Sequence, residues 1–406
     1  MQPLSAQTVA IVKATVPALQ QHGTDITRAL YKRLFRNTGV AALFNHSHQG
    51  EDGAQTKALA SAILAYAANI DNLGVLAGAV ERIAQKHVGL QIQPEHYPVV
   101  AESLLGAIGD VLGEAATPEV LGAWGEAYWF LANVLMGREK SLYAQQADSD
   151  GGWTGWREFV VAVKTRESET ITSFLLRPRD GGAVIRHKPG QYLSFLLPVA
   201  GPGAHDMPVR RNYSISSAPN GQSYRISVKR EDQGAASRWL HDHVLSGDIL
   251  HVSPPAGEFF LPEQPRRPVV LLSGGVGLTP MVSMVETIAE RHPDLPTHFV
   301  HGTVSGATHA MDQRVRSLAR HNANISVATF YSDPVEGELA GISHDVTGLI
   351  SIDWLKRNTP FEEADFYLCG PKAFLRVFAN GLTQAGVPAD RIHYEFFGPA
   401  EEIMAA

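Results

Sequence analysis

The chain has 406 residues, 44% of them hydrophobic and 18% charged, with a formal net charge of −7. About two to three ordinary domains fit that length, and the composition is globular, which excludes a fibrous or disordered protein. The acidic balance, without a basic block, excludes nucleic acid as the expected partner, because neutralising phosphates needs clustered Lys and Arg.

The first 23 residues carry Gln7, Lys13, Gln20 and Gln21 among their apolar positions, so no secretory signal core forms. No apolar run reaches the roughly 18 residues that a membrane span requires. Cys369 is the single cysteine, which rules out an intramolecular disulfide framework and a Cys-rich metal site and fits a reducing compartment. A cytoplasmic protein is expected.

From Ser5 to about Ala147 the pattern is helical. Leu59, Ala62, Ile63 and Tyr66, and then Leu76, Val80 and Ile83, recur at three- and four-residue spacing. Ser5 and Thr117 stand where N-caps belong, and Pro118 suits a first helical position. One helix closes at Ala84-Gln85-Lys86-His87, with His87 continuing the apolar face of Val80 and Ile83. A neutral imidazole there can ligate iron, or it can be an ordinary interior or surface histidine; with 17 histidines in the chain, one alone proves nothing.

At Asp148-Ser149-Asp150-Gly151-Gly152 the character changes. Short β-rich segments follow at 159–165, 171–177, 191–197, 212–216, 224–229 and 249–253, punctuated by Gly and Pro at the spacing of a barrel or sandwich. A short helix is expected over 238–244, preceded by Gly234 and Ser237. After residue 268 the buried run 269–272 leads through Gly274-Gly275-Val276-Gly277-Leu278-Thr279 into a helix over 280–290. Further strands are expected at 298–301, 325–330 and 365–368. This alternation predicts a doubly wound parallel sheet. A Gly-rich strand-to-helix turn offers backbone N–H groups to a pyrophosphate, although Pro280 stands near where a dinucleotide fingerprint would have its third Gly.

Three motifs occur in order: Arg211-Asn212-Tyr213-Ser214, Tyr367-Leu368-Cys369-Gly370-Pro371, and Tyr394-Glu395-Phe396-Phe397-Gly398-Pro399. On these the second half resembles the ferredoxin–NADP⁺ reductase superfamily, a flavin-binding β-barrel joined to a nicotinamide-binding α/β domain. The resemblance implies that Arg211 pairs with the FAD pyrophosphate, as a guanidinium does well. It also implies that Tyr213 stacks on the flavin, that Ser214 hydrogen-bonds its reactive edge, and that Tyr192 lines it. Gly234 and Ser237 would approach the pyrophosphate, residues 274–279 the nicotinamide dinucleotide, and Phe396, Phe397, Gly398 and Pro399 would cover the flavin. Cys369 is either a small buried hydrophobe or a packing residue beside the nicotinamide. No Arg or Lys occupies Gly302-Thr303-Val304-Ser305-Gly306 after the second strand, which favours NADH over NADPH.

In the helical half, Ile26-Thr27-Arg28-Ala29-Leu30-Tyr31, Leu43-Phe44-Asn45, Gln55 with Leu59, Lys86-His87, Pro94-Glu95-His96-Tyr97 and Gly137-Arg138-Glu139 are similar to the globin of bacterial flavohaemoglobins. The resemblance covers essentially the whole chain. It implies an all-α globin over residues 1–147 carrying one haem b, a linker over 148–154, an antiparallel FAD barrel over 155–263 and an α/β nicotinamide domain over 264–406. Tyr31 would be the distal tyrosine, Phe44 would pack on the haem, and Gln55 and Leu59 would line the distal helix. His87 would be the proximal ligand, with Tyr97 and Glu139 orienting it. A carboxylate accepting the imidazole N–H pushes electron density toward iron, suiting oxygen activation over carriage. Lys86 and Glu395 would tune the redox potentials, or else be a solvated Lys and a C-terminal salt-bridge partner.

The activity so implied is nitric oxide dioxygenation: NO and O₂ to nitrate, with electrons from NADH through FAD and haem. A haem-linked NADH oxidase or hydroperoxide reductase, with lipid in the distal pocket, and an oxygen-binding or sensing globin are the other readings. Asn212, where relatives often have a longer amide, and Pro98 depart from the family pattern.

Overall fold

In the computed structural model, residues 3–44, 54–200 and 208–398 are described. Asn45, Pro399 and the side chain of Gln55 lie outside the described residues.

Among the described residues, seven α-helices build the first layer: α1 (Ala6–Ala14), α2 (Val16–Leu34), α3 (Thr38–Ala41), α4 (Ala54–Ala68), α5 (Ala77–Gly89), α6 (Tyr97–Leu112) and α7 (Pro118–Asp148). Ser5 and Thr117 cap α1 and α7 by accepting from the N–H groups of Thr8 and Val120. Pro118 occupies the first turn of α7, where its missing N–H costs nothing. One core gathers Val12, Leu19, Ile26, Leu30, Tyr66, Ile108 and Trp124. A second, smaller one gathers Ala84, Val88, Tyr97, Leu135 and Leu142 between α5, α6 and α7.

The next layer is an antiparallel six-stranded barrel formed by β1 (Arg157–Arg166), β2 (Ile171–Pro178), β3 (Tyr192–Ala200), β4 (Pro208–Ser214), β5 (Tyr224–Lys229) and β6 (Ile249–Val252), in the order β4-β3-β6-β1-β2-β5. An Ile215–Ile226 bridge brings the two ends of the order together. Alternate residues Phe159, Val161, Phe174, Leu176, Leu193 and Phe195 fill its interior. Helix α8 spans Ala235–His243. It begins three residues earlier than the sequence suggests, so Gly234 is its N-cap and Ser237 lies within its first turn. Small Ala235, Ala236 and Ser237 tolerate helical backbone, and the Ser237 hydroxyl is used locally, accepting from the Glu231 N–H at 3.1 Å.

The last layer is a parallel sheet of β7 (Val269–Gly274), β8 (Thr297–Thr303), β9 (Ile325–Tyr331), β10 (Val346–Thr347), β11 (Asp365–Cys369) and β12 (Ile392–Glu395), in the order β10-β9-β8-β7-β11-β12. Helices α9 (Leu278–Arg291), α10 (Asp312–His321), α11 (Ile352–Asn358) and α12 (Lys372–Gln384) connect it. The strand order reverses between β7 and β11, the crevice where doubly wound sheets bind ligands. Buried contacts weld this layer to the barrel. His187 Nε2 lies 3.2 Å from Ser283 Oγ on α9, and Glu286 of α9 pairs with Arg225 at 2.8 Å and accepts the Ala218 N–H at 2.8 Å.

Candidate haem, flavin and nicotinamide sites

Helix α5 runs two residues past His87, to Gly89, so His87 lies in the last turn rather than at the helix end. Its Nδ1 is 2.7 Å from Glu139 Oε1 on α7 and 3.2 Å from the Tyr97 hydroxyl at the start of α6. Tyr97 donates to the same Glu139 oxygen at 2.6 Å. Burial and the adjacent Glu139 carboxylate push the Tyr97 phenol far above its ordinary range, so it stays a donor. A carboxylate only accepts, so His87 must carry its proton on Nδ1. That leaves the Nε2 lone pair free, and Nε2 has no partner among the described residues. The Glu139 side chain is 3% exposed and that of His87 31%: one end of the imidazole is locked in the core and the other is open. This is the arrangement expected of an iron-ligating imidazole with a carboxylate behind it.

Tyr31 lies near the end of α2, 8% exposed, with its ring stacked on Phe35 at 5.4 Å and meeting Phe44 edge-on at 5.8 Å. Leu34, Val40 and Leu43 complete this cluster, and Leu59 of α4 packs against it. Among the described residues the neighbours of the Tyr31 ring are aliphatic and aromatic, surroundings that suit small neutral ligands.

In the barrel, Arg211, Tyr213 and Ser214 lie on β4, facing β3 through the pairs Arg211–Phe195 and Ser214–Tyr192. Among the described residues the half-buried Arg211 guanidinium donates to the carbonyl of Arg210 at 2.7 Å and pairs with no carboxylate. Burial lowers its pKa, the mark of a cation short of an anion, which a pyrophosphate would supply. The Tyr192 hydroxyl is buried with no hydrogen-bond partner among the described residues, and by the strand register it lies with Ser214 on the face opposite to Arg211. Tyr213 meets Phe195 at 5.6 Å. Asn212 is exposed and its Oδ1 accepts from Ser194 Oγ at 2.8 Å, so it braces β3 and β4.

At the switch point, Gly274 ends β7, residues 275–277 form a single tight turn and α9 starts at Leu278. A Cβ on Gly277 would sit 2.1 Å from the Cys369 carbonyl oxygen, so only glycine lets the loop reach the end of β11. Thr279 Oγ1 donates to the Val276 carbonyl at 3.1 Å. Cys369 is fully buried and its thiol pKa is raised, in keeping with packing rather than nucleophilic chemistry. After β8, the Gly306 N–H donates to Glu338 Oε1 at 2.8 Å: an acid, not a cation, holds that turn.

Glu395 pairs with Cys369 across β12 and β11. Burial, then the Glu258 carboxylate, raises its pKa to about 7, against which Lys86 and Arg82 of α5 pull it down. Lys86 and Glu395, some 300 positions apart, therefore feel each other across the globin–reductase boundary. Phe396, Phe397 and Gly398 follow β12, with Phe397 exposed.

Sequence reasoning missed several residues at this boundary. Arg82 pairs with Glu258 at 3.0 Å, Gln85 Oε1 accepts the Gly257 N–H at 3.1 Å, and Arg210 donates to the Leu90 carbonyl. A Cβ on Gly89 would meet Ser194 Oγ at 2.9 Å and Tyr192 at 3.2 Å. The one available signal was the pair of arginines opening Arg210-Arg211-Asn212, of which the expected pyrophosphate contact would use only the second.

An imidazole-bearing helical bundle welded to a two-layer reductase defines a globin–reductase fusion. Residues 27–135 match the globin family model and residues 271–380 the model described as oxidoreductase NAD-binding domain. The chain is 55% identical over 403 residues to the flavohemoprotein of Xylella fastidiosa (strain 9a5c), covering 99% of both. Its fold is similar to the crystal structure of flavohemoglobin from Malassezia yamatoensis with bound FAD and heme, at a TM-score of 0.85 and 26% identity over 98% of this chain and 100% of that one. It is also similar to the FAD/NAD-binding domain of nitric oxide dioxygenase from Vibrio cholerae, at 38% identity and a TM-score of 0.53, covering 60% of this chain and 99% of that one. The chain belongs to the flavohemoprotein family.

Proposed function

We propose that this protein is a nitric oxide dioxygenase that converts NO and O₂ to nitrate with electrons from NADH. The observation that carries this reading is the Tyr97–Glu139–His87 triad, joined in one polypeptide to the reductase fold. FAD, when bound, accepts the two electrons of a hydride, and haem uses them one at a time, so one NADH serves two NO.

The residues divide that work. Glu139 fixes the His87 tautomer and makes the imidazole a stronger donor to iron, while Tyr97 holds the carboxylate in place. Tyr31, among Phe35, Phe44 and Leu59, supplies the hydrogen bond in the distal pocket, with Gln55 on the same helix as Leu59. A hydrogen bond to a charged partner is worth about 1.5–3 kcal/mol, enough to slow oxygen escape roughly 10- to 100-fold. Arg211, Tyr192, Tyr213 and Ser214 hold FAD, assisted by Asn212 as a brace and by Gly234 and Ser237 at the start of α8. Phe396, Phe397, Gly398 and Pro399 cover it. Residues 274–279 take the dinucleotide, and Glu338 at the turn after β8 disfavours the extra phosphate of NADPH. Lys86 and Glu395 set the potentials on either side of the boundary. The three functional units correspond to residues 1–147, 155–263 and 264–406, joined by a linker at 148–154. No helix among the described residues is long and apolar enough to cross a membrane; the lone buried thiol suits the reducing cytoplasm.

The test is NO consumption with NADH, taken from anaerobic to aerobic conditions and scored for nitrate. Two NO should be lost per NADH, nearly all recovered as nitrate, and a Tyr31→Phe variant should lose activity chiefly at low oxygen. NADH oxidation that yields no nitrate would overturn the assignment.

A further inference from the structure

The end of α5 has an unusual construction. Its C-cap is Leu90, and Gln91 adopts the left-handed conformation with φ 59°. The Ile92 N–H bonds to the His87 carbonyl at 2.9 Å and the Gln91 N–H to the Val88 carbonyl at 3.1 Å, the paired bonds of a Schellman ending. Tyr143 of α7 donates to the Ile92 carbonyl at 2.7 Å and secures the exit. The last carbonyls of a helix have no intrahelical partner. Leu90's is met from another domain, by the guanidinium of Arg210 on β4.

Arg210 is placed for little else. It is half-buried, it has no carboxylate partner among the described residues, and its guanidinium lies over the Trp156 ring at 5.6 Å. Burial lowers its pKa as it does that of Arg211, yet the two point to different tasks. The Arg211 guanidinium donates to the Arg210 backbone carbonyl at 2.7 Å, so the strand position next to the flavin-binding arginine is itself tied to the helix that bears His87. Beside it, Gly89 lies so close to Ser194 and Tyr192 of β3 that any side chain would intrude. The cation also meets the negative end of the α5 dipole, a favourable pairing.

We infer that Arg210 is a positioning residue for electron transfer within the molecule: by holding the Leu90 carbonyl, three residues from His87, it seats the last turn of α5, which carries His87, against the flavin strands β3 and β4. The inference rests on the proposed haem and FAD sites. It concerns their separation rather than their affinity.

The experiment compares the holoprotein, loaded with haem and FAD, with Arg210→Met and Arg210→Lys variants. Anaerobic mixing with NADH is followed at the flavin band and at the Soret band separately. Arg210→Met should leave flavin reduction unchanged and slow haem reduction about 10- to 100-fold, the shift one charge-assisted hydrogen bond makes in a docking equilibrium. Arg210→Lys, which keeps a cationic donor, should recover most of the rate. Hydrogen exchange gives a readout independent of turnover: amides at 88–92 should exchange faster in the Met variant while the iron–imidazole stretch stays constant. Unchanged haem reduction in Arg210→Met overturns the inference, as does equal slowing of both phases or loss of haem, which would make Arg210 a stabilising residue only. A wild-type protein that binds neither group would instead overturn the functional reading beneath it.

Discussion

Replacing Tyr97 with Phe isolates the carboxylate behind His87. The ring keeps its volume, so no cavity forms, and only the hydroxyl 2.6 Å from Glu139 Oε1 is removed. Glu139 is 3% exposed, so water has little access to replace the lost donor. A hydrogen bond to a charged group contributes about 1.5–3 kcal/mol, and for a domain of this size each kcal/mol moves the melting temperature by roughly 2–4 °C. The globin transition, followed by loss of the Soret band, should therefore fall by about 3–12 °C. The same change leaves His87 as the only donor to Oε1 among the described residues, which strengthens that bond and raises the iron–imidazole stretch. Glu139→Gln should lower it. Opposite shifts are the signature of two donors competing for one oxygen. If both variants move the stretch the same way, or if Tyr97→Phe melts within a degree of wild type, the triad does not work as argued.

Arg211→Met should weaken FAD binding about 10- to 100-fold, since one charge-assisted contact to the pyrophosphate is lost; titration of apoprotein by flavin fluorescence quenching checks this, and an unchanged Kd contradicts it. Glu395 has a pKa raised from 4.5 to about 7, so between those values the folded state holds more protons than the unfolded one and stability falls as pH rises. Glu395→Gln should match wild type in acid and be more stable above about pH 7, by about 1–3 kcal/mol once solvent screening of this half-buried group is allowed for. Parallel denaturation midpoints across that range would remove Glu395 as a titrating group. Cys369, fully buried with a raised pKa, should resist alkylation in the native protein and react fully in denaturant; rapid native labelling would show that the end of β11 opens.

Much of this architecture is legible in the sequence because the physics that sets it is local. All six barrel strands were predicted, each near its observed place, since alternating burial and Gly or Pro punctuation act within a few residues. β4 begins at Pro208 rather than 212 because pairing with β3 extends it past the point where its own pattern is clear. The short edge strand β10 and the last strand β12 carry no comparable signal: β12 exists because β11 offers it a partner. For the site, the resemblance to the flavohaemoglobin globin pointed to His87, Tyr97 and Glu139, but nothing in the spacing gives the 2.7 Å that fixes the proton on Nδ1.

The domain boundary was the least legible part, and α5 shows why. A Schellman ending ordinarily places Gly at the left-handed position, and reading α5 by that rule would put its glycine at 91. Here Gln91 takes the left-handed conformation and bears its strain, while the glycine stands two residues earlier, inside the helix, where it lowers helix propensity. Both choices oppose local preference. The glycine makes sense only against Ser194, which is fully buried and held by Asn212, and whose hydroxyl leaves no room for a Cβ at 89. Local cost is accepted where a distant surface dictates the shape, and such exchanges concentrate at functional sites. A helix end that violates its own capping rules, next to a histidine with one nitrogen locked and one open, therefore marks the place where globin and reductase have been fitted to each other.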